Sequence, residues 1–335
     1  MQLTLIRGLG LSFRAIAAFI ALIIALLVQP CAYGAQMLTG GGDAWTRQAS
    51  GTPNELFSVD FAADGRHGWA VGFGGKIIAT SDGGNTWMTQ ESGTPNQLNS
   101  VDFTADGRHG WAVGFGGKIL ATSDGGRTWV TQESGTPNEL HSVDFAADGR
   151  HGWAVGFGGV IVATSDGGRM WVPQTSGTPN ELFSVAVAAD GRHAWAVGFG
   201  GVIIATSDGG KTWAPQASGT PNELHSVDFA ADGRHGWAVG FGGVIVATTD
   251  GGNTWTPQAS GTPNDLHSVS FTADGRNGWA VGFGGKILAT SDGGETWVTQ
   301  ASGTPNDLHS VSFTADGRHG CAVGFGGIVL TSSPD

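Results

Sequence analysis

Tyrosine is all but missing from this chain of 335 residues: there is one, Tyr33, and none between residues 35 and 335. Hydrolysis of glycosides through a tyrosine nucleophile is thereby excluded from that span. Cysteine is nearly as scarce, with Cys31 and Cys321 alone. If residues 1–34 are removed, one thiol remains and no intramolecular disulfide can form. Charged residues make up 13%, which is too few, beside this much tryptophan, for a disordered chain. No Trp-Asp dipeptide occurs, which disfavours a WD40 array. No window shows convincing helical periodicity. Positive charge is short: Lys and Arg total 16 against 28 Asp and Glu, a net charge of −12. Residues 1–34 contain two Arg and no acid, so the remainder carries −14. Nucleic acid and anionic lipid are poor partners for such a body.

What is abundant is glycine, 59 residues, and repetition. The pentad Ser-Gly-Thr-Pro-Asn begins at Ser50, Ser92, Ser134, Ser176, Ser218, Ser260 and Ser302, always 42 residues apart. The last copy supplies 34 positions, and residues 42–49 match the eight that it lacks. Residues 42–335 therefore hold seven whole periods, with complementary fragments at the two ends. A closed ring needs that arrangement, and a period in the low forties points to propeller blades.

Residues 1–34 differ from the rest. Arg7 and Arg14 lead into the apolar stretch 15–28, followed by small residues near Ala32 and Gly34. The pattern reads as a secretory signal. The run is short for a membrane span, which needs about 20 residues, and an uncleaved anchor is the alternative. Residues 35–41 read as a linker and 42–335 as the propeller. Export to a periplasm or a thylakoid-lumen equivalent is expected, with membrane attachment left open.

Within one repeat, residues 56–61, 69–73, 76–80 and 86–90 read as strands a to d, separated by Asp64-Gly65, Gly74-Gly75 and Asp82-Gly83-Gly84. The fold class is all-β, a seven-bladed propeller of four-stranded blades. Its N-terminal strand joins the last blade. Parity places Phe57, Val59 and Phe61 on one face of strand a, and Trp69, Val71 and Phe73 on one face of strand b. All 13 tryptophans fall in two columns, one from Trp69 to Trp279 and ending in Cys321, the other from Trp87 to Trp297 and closing with Trp45. Regularity of that kind marks core packing.

The stretch Thr80-Ser81-Asp82-Gly83-Gly84-Asn85-Thr86-Trp87 recurs around Asp124, Asp166, Asp208, Asp250 and Asp292, while Ser333 stands in the last place. It is similar to the Asp-box, or bacterial-neuraminidase, repeat. A short carboxylate there accepts backbone N–H groups across the c–d hairpin while Trp anchors the turn, a structural role. With Gly68-Trp69-Ala70-Val71-Gly72-Phe73-Gly74-Gly75 before it, the motif resembles the photosystem II stability/assembly factor family. The resemblance covers residues 42–335. It implies an exported, non-enzymatic propeller that holds a newly made membrane-protein partner during assembly. It implies a protein partner, no nucleic acid, and no cofactor or metal; a monomer is expected. Cys31 lies in a poor lipidation context, unlike the lipid-anchored members.

Two other functions compete. A carbohydrate-binding surface protein is one. A glycosidase is the other, and it needs two carboxylates in distinct environments, whereas nearly every carboxylate here is copied around the ring. The sialidase version also lacks its tyrosine. The surface singled out is the a–b turn, with Arg66, Arg108, Arg150, Arg192, Arg234, Arg276 and Arg318 beside His67, His109, His151, His193, His235 and His319, and Asn277 in the seventh place. These residues admit three roles: local pairing with the Asp64 column to cap the hairpin, a grip on an acidic or C-terminal peptide, and metal capture. Seven-fold spacing is wide for one ion. The opposite mouth is expected to carry Glu55, Gln97, Glu139, Glu181, Glu223, Asp265 and Asp307. The histidines at 141, 225, 267 and 309 read as packing residues in strand a.

Overall fold

The computed structural model describes residues 45–332. The readings for the leader, the linker and Ser333 lie outside them. Seven separate four-stranded antiparallel sheets follow one another, each in the order a-b-c-d. In the first blade the strands are Leu56–Phe61, Gly68–Gly72, Lys76–Thr80 and Met88–Gln90. The seventh takes Leu308–Phe313, Gly320–Gly324 and Ile328–Ser332 from one end of the chain and Thr46–Gln48 from the other. Thr46 pairs with Thr331, Arg47 with Leu330 and Gln48 with Val329. Trp45 is buried beside them, and its Nε1 donates to Gln300 Oε1 at 2.9 Å.

The a strands border one central channel, to which each blade presents the equivalents of Val59 and Asp60. A strand in that position has N–H groups with no neighbouring strand to receive them, and buried donors need acceptors. The preceding blade supplies these from side chains. Val101 N–H donates to Ser58 Oγ at 3.2 Å, and Val59 N–H to Ser310 Oγ at 3.2 Å, so the series closes on itself. Two residues further along, Phe103 N–H donates to Asp60 Oδ2 at 2.8 Å.

Between blades, Trp69, Val71 and Ile77 of one sheet pack against Val101, Ala112 and Leu120 of the next. Phe103 lies flat on Trp69 across that seam, with centroids 3.5 Å apart, and meets Trp129 edge-on. Such pairs contribute about 0.5–1.5 kcal/mol beyond area burial. The ring of Phe103 in turn covers Gly110, where an added Cβ would sit 2.5 Å from it. Blade 4 changes both members together, to Val187 and Ala194.

Simple alternation fails at both ends of the a–b hairpin. The register shifts between Leu56 and Ser58, so Leu56 and Val59 are buried while Phe57 is half-buried. Phe73, placed by parity with Trp69 and Val71, is instead 57% exposed. It opens a single 3-10 turn, Phe73–Gly75, in which Gly74 and Gly75 have φ of 70° and 71°, and this turn lifts the ring out of the sheet. Strand d is also shorter than expected, because Thr86 and Trp87 belong to the preceding turn.

Two stability changes follow. Trp45→Ala should cost about 3–5 kcal/mol in urea unfolding; an unchanged midpoint would contradict ring closure through this residue. Gly152→Ala should cost about 1–3 kcal/mol by overpacking Phe145. Combined with Phe145→Val, the pair that blade 4 uses, it should cost less than the sum of the single changes, and strict additivity would count against the Phe–Gly contact.

Candidate functional site

The a–b turns come in two versions. In blades 1, 3, 4 and 5 the Asp of the turn accepts two backbone N–H groups through one oxygen and the His ring through the other. Asp64 Oδ1 takes Arg66 N–H at 2.8 Å and His67 N–H at 3.0 Å, and Oδ2 lies 2.7 Å from His67 Nδ1. In blades 2, 6 and 7 a threonine intervenes. Thr104 Oγ1 donates to Asp106 Oδ1 at 2.7 Å and accepts His109 N–H at 3.2 Å. Among the described residues, His109 and His319 have no carboxylate within 4.0 Å. Burial pulls Asp64 upward, but the N–H bonds from His67 and Arg66 and the His67 ring outweigh it, and the carboxyl lies below its ordinary range.

Local pairing thus caps the hairpin through the main chain and the histidines, and leaves the guanidinium groups out of it. All seven arginines are exposed. Among the described residues, Arg318 is the one with a carboxylate in ion-pair range, Asp316 at 3.7 Å. Arg108 and Arg150 line clefts between blades. The first cleft, about 680 Å3, gathers His67, Trp69, Arg108, Asp124 and Arg127. The second, about 560 Å3, gathers His109, Trp111, Arg150, Asp166 and Arg169. Arg127 and Arg169 stand at a c–d turn position that is Asn85, Lys211, Asn253 and Glu295 in other blades. Blades 2, 3 and 4 therefore carry a second cation on this face, an asymmetry that reading the arginine column alone missed. Among the described residues, no three His, Cys, Asp or Glu side chains are grouped to hold a metal ion.

The aspartates of the c–d turns serve the main chain. Asp82 Oδ2 accepts the Thr86 hydroxyl at 2.7 Å and Oδ1 accepts Thr86 N–H at 2.9 Å and Thr80 Oγ1 at 2.8 Å. Those bonds, the Thr86 hydroxyl first, hold its carboxyl down at about 2.

The channel wall holds acids that the sequence reading passed over: Asp60, Asp102, Asp144 and Asp228, with Ala186, Ser270 and Ser312 in the other places. Three of the carboxylates accept an N–H from the next blade, Asp60 from Phe103 at 2.8 Å, Asp144 from Val187 at 2.6 Å and Asp228 from Phe271 at 2.7 Å, while Phe145 N–H, facing Asp102, donates to Asp144 Oδ1 of its own blade at 3.0 Å. Burial pushes all four upward, Asp228 to about 6, and for Asp102 the charges of Asp144 and Asp60 add to it. At the opposite mouth, His141 Nε2 lies 2.6 Å from Glu181 Oε1 and His309 Nε2 lies 2.7 Å from Glu55 Oε1. The rings of His225, His267 and His309 follow one another at 5.7 and 5.5 Å. Burial, then the neighbouring His309 and His225, lowers the pKa of His267.

The family model described as photosynthesis system II assembly factor YCF48 matches residues 41–133, 88–176, 131–222, 175–259 and 212–299 in overlapping stretches. No curated protein sequence matches the chain. Among solved structures, one described as YCF48 bound to D1 peptide is similar at TM-score 0.71 and 24% identity, over 87% of this chain and 96% of that one. YCF48 from Cyanidioschyzon merolae is similar at TM-score 0.72 and 24% identity, over 87% and 98%. These two likenesses speak for the fold.

The raised aspartates set a pH dependence. Asp228 titrates near 3.8 when unfolded and at about 6 when folded, so the folded state holds its proton more tightly. Its contribution is fully present below 3.8 and is lost as pH rises to about 6. Asp228→Ser, the residue that blades 6 and 7 use, should therefore raise the melting temperature at pH 7 relative to pH 4, when each is compared with the parent. A parallel shift at both values would contradict the buried-acid reading.

Proposed function

Because this chain belongs to the photosynthesis system II assembly factor YCF48 family, we propose that it is a protein-binding propeller scaffold. In this reading it is exported to a periplasm or lumen, holds a membrane-protein partner during assembly and performs no catalysis. The observation that carries it is the pair of adjacent clefts in which Arg108 stands with Arg127, and Arg150 with Arg169. Guanidinium forks bind carboxylates in bidentate fashion, and several on one surface suit an acidic or C-terminal peptide segment. The main-chain capping by Asp64 and its counterparts leaves these forks free for a partner, since the turn does not need them. A solved relative is described as carrying D1 peptide, which makes that peptide the first ligand to try. The leader at residues 1–34 supports export, and the ring-wide copying of carboxylates supports the absence of an acid and base pair.

The test is fluorescence anisotropy of labelled D1 peptide. Arg108→Ala, Arg150→Ala and Arg192→Ala together should weaken binding by roughly tenfold or more and flatten its salt dependence. The same change at Arg234, Arg276 and Arg318, in blades whose c–d turn position lacks the Arg or Lys of blades 2 to 4, should weaken it less. Unchanged binding by the first variant, with the fold intact, would remove this surface from the account.

A further inference from the structure

The face opposite the arginines displays seven phenylalanines, one per blade, at the b–c turn. Their exposure runs from 52% for Phe199 to 58% for Phe115. None belongs to the hydrophobic clusters between blades or to an aromatic pair among the described residues. The turns that carry them are clamped. Phe157 N–H donates to Glu139 O at 2.9 Å, and Asn138 Nδ2 donates to Phe157 O at 3.1 Å. A Cβ on Gly159 would lie 2.0 Å from Thr178 O, so the next blade's loop presses on the turn. Gly and Asn satisfy the geometry of the turn. The aromatic ring is presented to solvent on a rigid mount, at small entropic cost to a binding partner.

The ring of phenylalanines is not uniform in its surroundings. The residue after each turn is Lys76, Lys118 and Lys286 in blades 1, 2 and 6, but Val160, Val202 and Val244 in blades 3, 4 and 5. Across that second arc Phe157, Phe199 and Phe241 stand beside half-buried valines, with Glu139, Glu181 and Glu223 one residue before strand a of the same blades. The main-chain bond from each Phe to its Glu keeps the two residues adjacent, and the carboxylates of Glu139, Glu181 and Glu223 also meet Asn99, His141 and His225. Apolar surface that lacks the lysine of blades 1, 2 and 6 and is edged by acids is complementary to a segment that alternates basic and apolar side chains, whose cations also favour aromatic faces. A second copy of the chain would bring acids against acids, and an anionic lipid surface would meet the same repulsion.

We propose that the arc of Phe157, Phe199 and Phe241 is a second docking surface, independent of the arginine clefts, that takes a basic and apolar polypeptide segment of a partner. Two faces of opposite preference then let one propeller hold two segments at once.

The probe is a short fluorescent peptide of alternating arginine and leucine, followed by anisotropy on the full chain. Phe157→Ser, Phe199→Ser and Phe241→Ser together should weaken binding by roughly tenfold, and the same change at Phe73, Phe115 and Phe283 by roughly twofold at most. Val160→Lys, Val202→Lys and Val244→Lys, which copy the other blades and so preserve the turn, should weaken it as the first variant does. Arg108→Ala with Arg150→Ala and Arg192→Ala should leave it unchanged. Equal loss from both phenylalanine sets, or no loss from the valine set, overturns the proposal. So does tighter capture by phosphatidylcholine vesicles than by the peptide. Self-association in sedimentation that disappears with Phe157→Ser, Phe199→Ser and Phe241→Ser would assign the arc to a second copy and overturn it equally.

Discussion

The hydrogen bond from one blade's inner strand to the serine of the blade before it is the constraint that the ring depends on. Val101 N–H to Ser58 Oγ, Val143 N–H to Ser100 Oγ and their successors run seam by seam until Val59 N–H meets Ser310 Oγ. Each inner strand is an edge strand at the channel, and its outward N–H groups are two residues apart. The serine column receives one at every seam, and the column of Asp60 receives the next where Phe103, Val187 and Phe271 donate. That explains acids beside a channel where their charge is disfavoured: an acceptor is required there, blade 6 meets the need with Ser270 instead, and opposite Ala186 the Phe229 N–H goes to Asp228 of its own blade.

The seams are not equal. Six outer tryptophans donate to a glutamine of the blade before, as Trp45 does to Gln300 and Trp255 to Gln216. At the junction of blades 7 and 1, Trp87 turns to Gly84 O and Gln48 to Thr331 Oγ1. The same seam has Cys321 where five others stack a tryptophan on phenylalanine and the junction of blades 3 and 4 packs Trp153 with Val187. It nevertheless keeps its serine bond and the edge contact of Phe61 with Trp87. Opening it alone would forfeit those contacts while the other six seams still held both blades, so the chain would gain little conformational entropy in return. Circularity protects its weakest junction.

Much of the fold was legible because the repeat states each rule seven times. The complementary ends and the tryptophan columns depend on local pattern or exact spacing, and the structure joins the ends in one blade and packs the tryptophans between blades. Phe73 was misplaced because alternation continues in the letters through Gly72 to Gly75, while two left-handed glycines end the strand. The channel aspartates were invisible as a group because their role, receiving an N–H from a residue 43 positions on, has no local signature. The arginine column was easy to see, but its asymmetry needed the c–d turn of one blade placed beside the a–b turn of the same blade, which brought Arg127 to Arg108. The two faces differ in the same sense. What varies between blades, Arg127 and Arg169 on one side and Val160, Val202 and Val244 on the other, is where the two proposed docking surfaces depart from seven-fold repetition.

Native-state hydrogen exchange at the seven valine amides of the inner strands tests the closed ring most directly. Val59 reports the junction of the two chain ends, and Val101, Val143, Val185, Val227, Val269 and Val311 report the others. A ring that opens as one unit gives all seven the free energy of global unfolding. Exchange at Val59 through a separate opening of distinctly lower energy, with the other six unaffected, would show that the chain is an open array whose ends merely touch.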